Sequence, residues 1–296
     1  MNIRFVETFL SVVDHGSLVE AARRLGLTPA AVAQRMAALE NEVGVRLLMR
    51  SGRVVVPAEA GVAALGPARK LCQDAHALRA SATSGTSSGE LRLGAIATAL
   101  TGIIPELFTP LLARYPQITT RILPGISGDL YRRVVEGDLD AAIVVRPQFA
   151  MPKGLEWRLL RSEPLILIAP GTASGRDPQS LLATEPFIRY DRNFWGGKLA
   201  DRYLAQTGIT LRERFELDAL DAIAVMVDRG LGVSVVPDWA PPWPAGLSLA
   251  KLPLPAKNLA REIGLIWVRS SPVIRLLHAF LEVYDEHFAR QAELAT

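Results

Sequence analysis

The sequence predicts a chain in two parts: a small all-α unit with a β-hairpin and a trailing helix, then an α/β region of two lobes. Three observations predict it. Two short helix patterns flank a tight turn over residues 17–39, an alanine-rich heptad pattern covers residues 58–82, and strands alternate with helices from residue 90 onward. At 296 residues and 49% hydrophobic content, the chain can bury two cores.

Ile3, Phe5, Val6, Phe9, Leu10, Val12 and Val13 predict a first helix that ends near His15 and Gly16. Ser17 and Glu20 have the spacing of a capping box and start a second helix. Gly26 follows Leu25 where a left-handed residue is wanted, and Thr28 then caps a third helix that opens with Pro29. Ala21, Ala22, Leu25, Leu27, Val32, Met36 and Leu39 form the buried face, which leaves Pro29, Ala30, Ala31, Gln34 and Arg35 facing outward. This is the pattern of a helix-turn-helix, whose second helix enters the DNA major groove. After Gly44, VRLLMRSGRVVV predicts a hairpin with Ser51-Gly52 as its turn, a wing with Arg50 and Arg53 at the tip. Arginine at such a tip suits phosphates or the minor groove. The net charge is only +3, so any DNA contact depends on where the arginines sit.

Ala64, Ala68, Leu71, Ala75, Leu78 and Ala82 alternate steps of four and three, a coiled-coil seam whose natural partner is the same helix of a second subunit. A helix packed on its own domain is the competing reading. Gly66-Pro67 predicts a kink or a late start. SATSGTSSG, residues 81–89, contains no large apolar residue and reads as a hinge. ELRLGA, TTRIL and DAAIVV then read as strands separated by helices at 104–115 and 129–136, an order that predicts a parallel layer. A second cycle follows: PLILIAP, PFIRY, a helix at 198–206, RFELD, a helix at 220–228 and GVSVVP. A terminal amphipathic helix covers 274–292.

No apolar run approaches the roughly twenty residues of a membrane helix, and the N-terminal segment carries Glu7 and Asp14 within an amphipathic pattern; both predict a cytoplasmic protein. Cys72 is the only cysteine, so an intrachain disulfide and a multi-cysteine zinc site are excluded. His15, His76, His278 and His287 are scattered over predicted helices, and neither a metal nor a cofactor is expected.

The order of helix-turn-helix, wing, linker helix, hinge and two lobes resembles the LysR-type transcriptional regulators. The pattern FxxVxxxGSLxxAARRLGLTPAAVAQRMAALENEVGVRLLMRSGRVVVPAEAG carries most of the resemblance, and IIPELFTPLLARYP, EGDLDAAIV and RGLGVSVVP extend it. It implies a winged helix-turn-helix over residues 1–57, a dimerisation helix over 58–84, a hinge over 85–89 and an effector domain over 90–296. That domain would resemble type 2 periplasmic binding proteins, with lobe 1 at about 90–162 and 267–296 and lobe 2 at about 163–266. It further implies a DNA-binding regulator that dimerises through the linker helix, assembles into tetramers, touches RNA polymerase and senses a small molecule. Carried over by position, Ser17 and Thr28 would touch phosphates at helix N-termini, while Pro29, Ala30, Ala31, Gln34 and Arg35 would face bases. Pro29 and Ala33 depart from the glutamine and serine common in the family, which leaves Gln34 and Arg35 as the polar readers.

Ligands of open α/β sheets sit at strand ends, here at the lobe boundary. Thr98, Ala99 and Thr101 from one loop, Ile126 and Ser127 from a second, and Arg146 after DAAIVV would line that cleft from the first lobe. Phe194, Trp195, Asp221 and Pro237 would line it from the second. A guanidinium at Arg146 would hold a carboxylate by two hydrogen bonds, which makes a small carboxylate the expected effector. The rival class, an enzyme or a small-molecule-binding protein built on the lobes, finds little support. GISGD lacks the spacing of a nucleophile elbow, and GLGVS is an incomplete dinucleotide fingerprint.

Overall fold

The computed structural model describes residues 1–52, 54–82, 89–255 and 259–294. The chain falls into two units, Met1–Thr86 and, but for Glu136–Asp138, Ser87–Thr296.

The first unit begins with α1 (Ile3–His15), α2 (Leu18–Leu25) and α3 (Pro29–Val43). Each ends where a glycine takes the left-handed conformation, at Gly16, Gly26 and Gly44 (φ 63°, 65° and 81°). Ser17 Oγ accepts from the Glu20 amide at 3.4 Å, and Thr28 Oγ1 accepts from the Ala31 amide at 3.2 Å. Only half of the capping box is made. The Glu20 carboxylate turns to Arg23 and Arg24, whose hydrogen bonds pull its pKa down to about 2. Val6, Phe9 and Val12 meet Ala21, Ala22, Val32, Met36 and Leu39 in a closed core. Burial of each of the larger side chains contributes about 1.5–3 kcal/mol, so the apolar stripe rather than helix propensity holds these short helices.

The wing consists of β1 (Leu48–Ser51) and β2 (Val54–Pro57), paired antiparallel. Ser51 pairs with Val54, so it is the last residue of the strand and not the first of the turn, which Gly52 opens at φ 63°. Glu40, the glutamate of ALE, ties α3 to the start of the wing: its Oε1 accepts from the amides of Leu47 (2.8 Å) and Leu48 (3.0 Å). The glycine of EAG has an equally local cause. A Cβ on Gly61 would lie 2.0 Å from the Leu47 carbonyl oxygen.

α4 (Glu59–Ala82) runs through Gly66-Pro67 as one continuous helix, so the expected late start does not occur. Ala64, Ala68, Leu71 and Cys72 pack onto the core of α1–α3. The first half of the heptad seam is thus occupied within its own domain, because alanines let α4 approach α1 closely. Leu78, further along, is 72% exposed. The expected hinge falls largely on residues 83–88, outside the described residues; Ser81 and Ala82 belong to α4, and Gly89 opens a strand.

In the second unit, β3 (Gly89–Ala95), β4 (Ile118–Pro124) and β5 (Ala141–Val145) are parallel, with α5 (Ile104–Arg114) and α6 (Ser127–Val135) as crossovers. The sheet is not wholly parallel as expected. β6 (Leu155–Pro170) is long enough to serve both lobes. Its first part pairs antiparallel with β11 (Ala260–Val268), and its second with β9 (Ser234–Pro237) and β10 (Leu249–Pro253). β11 also pairs antiparallel with β5, so residues 260–266, expected in the second lobe, lie in the sheet of the first. The second lobe adds α7 (Pro178–Thr184), β7 (Pro186–Tyr190), α8 (Trp195–Thr207), β8 (Arg212–Leu217) and α9 (Leu220–Asp228). Period-2 alternation along β6 divides its core: Leu165, Leu167 and Ala169 pack with α7 and α8, while Ile166 and Ile168 pack with α9. α10 (Ile274–Leu294) returns to pack on α5.

Candidate DNA-binding face and effector cleft

Pro29 takes the first position of α3, and Pro29, Ala30 and Gln34 are exposed on it, whereas Ala31 is half-buried. Arg35 departs from the expected outward orientation. It is half-buried, and its Nη1 donates to Thr8 Oγ1 of α1 at 3.4 Å, so Gln34 is the polar side chain fully presented at the start of α3. Ser17 Oγ and Thr28 Oγ1 already accept from helix amides, so each retains its proton to offer a phosphate. Arg50 is exposed and makes no ion pair among the described residues. With Ser17, Pro29 and Gly52 it lines a surface hollow of about 400 Å³ between the α2 and α3 N-termini and the wing. Arg53 lies outside the described residues.

In the second unit, a cleft of about 420 Å³ opens between the lobes. Thr98, Ile126 and Ser127 line it from the first lobe, and Phe194, Trp195 and Asp221 from the second. Four expected residues do not reach it. Ala99 starts a π-helical turn and is 1% exposed, and Thr101 Oγ1 donates back to the carbonyls of Ala97 and Thr98. Pro237 is buried at the end of β9, opposite Leu165. Arg146 is half-exposed and pairs with Glu262 at 2.7 Å, the ordinary surface ion pair.

The guanidinium that does line the cleft is Arg261, only 2% exposed and not anticipated from the sequence. It lies on β11 close to Glu163 of β6, and its Nε donates to Glu163 Oε2 at 2.7 Å. Glu163, 1% exposed, also accepts from the Ala240 amide at 3.2 Å, so the charge of each partner is cancelled where neither meets water. Arg261 Nη2 donates to Thr98 Oγ1 at 3.2 Å. The available signal was an arginine and a glutamate in otherwise apolar strands, but the pairing spans 98 positions of sequence. Tyr190 and Asp218 also line the cleft unanticipated, and burial pushes the Tyr190 hydroxyl pKa up. Tyr131 and Phe149 of the first lobe meet Trp195 of the second in an edge-to-face cluster with centroids 5.3–5.9 Å apart.

Among the described residues, no group of His, Cys, Asp and Glu could hold a metal ion, and no helix is long and apolar enough to cross a membrane.

A winged helix-turn-helix joined to two α/β lobes around a cleft defines a DNA-binding regulator with an effector domain. The chain belongs to the LysR family of transcriptional regulators: the family model for the bacterial regulatory helix-turn-helix protein, lysR family, matches residues 3–62, and that for the LysR substrate binding domain matches residues 84–289. It is 28% identical over 293 residues to the probable HTH-type transcriptional regulator LrrA of Synechococcus elongatus, covering 96% of both chains. It is 30% identical to a probable hydrogen peroxide-inducible genes activator of Mycobacterium leprae, covering 90% of this chain and 88% of that one. Among solved structures, a full-length OxyR point variant from Pseudomonas aeruginosa shares the fold with a TM-score of 0.67 at 21% identity, covering 96% of this chain and 95% of that one. Full-length CbnR complexed with its target DNA shares it with a TM-score of 0.63 at 22% identity, covering 97% of this chain and all of the other.

Proposed function

We propose that this regulator grips two DNA half-sites as a dimer joined through α4, and that an effector carrying a carboxylate, bound between the lobes, changes subunit geometry and thereby DNA bending. The observation that carries this reading is the cleft, whose first-lobe wall offers protons from Thr98, Ser127 and Arg261. Those donors take the role first expected of Arg146. On the DNA side, Gln34 reads base edges and Ala30 and Ala31 meet thymine methyls. Arg35 does so after leaving Thr8, while Ser17, Thr28, Arg50 and Arg53 hold phosphates and Pro29 shapes the approach. Dimers pair into tetramers, contact RNA polymerase at the promoter and act in the cytoplasm.

Fluorescence anisotropy with the DNA upstream of the protein's own gene tests the reading. A specific complex at least about 1,000-fold tighter than that with scrambled DNA is expected at physiological salt. Equal binding to both would overturn it.

A further inference from the structure

The two walls of the cleft offer opposite chemistry. On the first lobe, Ser127 Oγ accepts from the Val145 amide at 3.1 Å and Thr98 Oγ1 accepts from Arg261 at 3.2 Å. Each hydroxyl has one lone pair engaged and retains its proton to offer the cleft. Arg261 adds to the same wall: Glu163 and Thr98 engage Nε and Nη2, and the guanidinium has more N–H groups than these partners and the adjacent Tyr190 hydroxyl use. Ser127 also opens α6, whose first amides have no intrahelical partner. The charged groups that the second lobe presents are the carboxylates of Asp218 and Asp221, both exposed and lining the cleft beside Asn193 and the Trp195 indole. Tyr190, Phe194 and Trp195 supply apolar faces to the same cleft. Glu163 pairs with Arg261 and also lies 3.6 Å from Arg161, whereas Asp218 and Asp221 line the cleft as carboxylates that a cationic group on the ligand would complement.

We propose that the effector is a zwitterion of the α-amino-acid type with an apolar or aromatic side chain. Its carboxylate meets Thr98, Ser127 and Arg261, its ammonium meets Asp218 and Asp221, and its side chain lies against Phe194 and Trp195. A cleft of about 420 Å³ matches such a molecule in size. The inference rests on the reading of the cleft as the effector site and adds the second charged group.

Isothermal titration of the full-length protein with three probes of one skeleton tests it: L-phenylalanine, 3-phenylpropanoate without the amine, and 2-phenylethylamine without the carboxylate. L-Phenylalanine is expected to bind at least about tenfold more tightly than either truncated probe, one charge-assisted hydrogen bond being the difference. The double variant D218N/D221N should remove that advantage over 3-phenylpropanoate while leaving the fold intact by circular dichroism. Equal binding of 3-phenylpropanoate and L-phenylalanine, no effect of the double variant, or binding of none of the probes would each overturn the zwitterion. Ile126→Trp, at an exposed lining position, separates this from failure of the cleft itself. A probe that binds the wild type and the filled variant equally well lies elsewhere, and the effector-site reading then falls with it.

Discussion

Gln34 of α3 and Arg50 of the wing are both exposed yet should fail differently when removed. Gln34→Ala should cost roughly 1–3 kcal/mol against the specific site and little against scrambled DNA, the mark of a base contact. Arg50→Ala should weaken both about equally and reduce the slope of log affinity against log salt by about one, the mark of a phosphate contact. Anisotropy across a salt series distinguishes the two. Glu20 gives a prediction in pH. Its folded pKa is held at about 2, below the ordinary 4.5, so its pairing with Arg23 and Arg24 stabilises α2 above pH 4.5 and is lost as pH falls toward 2. A carboxyl carbon titration by NMR should place its midpoint near 2. Caps and turn glycines such as Thr28 and Gly26 were legible in the sequence because their partners lie within five positions. Arg261 was not legible, because its role depends on Glu163 in a distant strand, whereas Arg146 next to a strand end looked equally suitable. Arg261→Met should destabilise the effector domain by up to roughly 3–5 kcal/mol, as read by urea denaturation, because it takes the closest charge partner from the buried Glu163 and leaves it the Ala240 amide and Arg161 at 3.6 Å.

The elements divide by how far their partners lie along the chain. α1–α3 and the wing were legible because apolar spacing and a two-residue turn are local signals; even there, the turn was read one residue early. The strands β10 and β11 escaped. β10 is only five residues long and ends in Pro253, and β11 carries Arg261 and Glu262 before its apolar run, with an antiparallel direction that only its neighbours determine. α4 is the instructive case: the first part of its heptad has a partner within its own domain, and we propose that a second subunit covers the rest. Ala64, Ala68 and Leu71 close the core of their own domain, and Leu78 remains exposed for a second subunit. Leu78→Asp should therefore raise the dimer dissociation constant at least about tenfold in sedimentation equilibrium while sparing the fold. Leu71→Asp should instead lower the melting temperature of the N-terminal unit, because the charge is forced against a packed face. Equal outcomes for the two would assign the whole seam to one partner.

At the scale of the molecule, the two family matches and the two-lobed sheet describe a chain that joins a DNA reader to a ligand-binding domain. β6 extends through both lobes and β11 pairs with its first-lobe part: Glu163 on one binds Arg261 on the other, and Thr98 ties that pair to the cleft wall. A ligand that engages Arg261 and Asp221 together bridges the first lobe to the second, with Trp195 already seated on Tyr131 and Phe149. On the proposed function, differential affinity for the closed lobes would shift the regulator between states. The direct measurement is Förster transfer between dyes at the two ends of the upstream DNA fragment, bound by the full-length protein and titrated with L-phenylalanine. The end-to-end distance should change with saturation for the wild type and stay constant for Ile126→Trp. A distance that never moves in the wild type, or that moves equally in the filled variant, would contradict transmission from this cleft to the DNA.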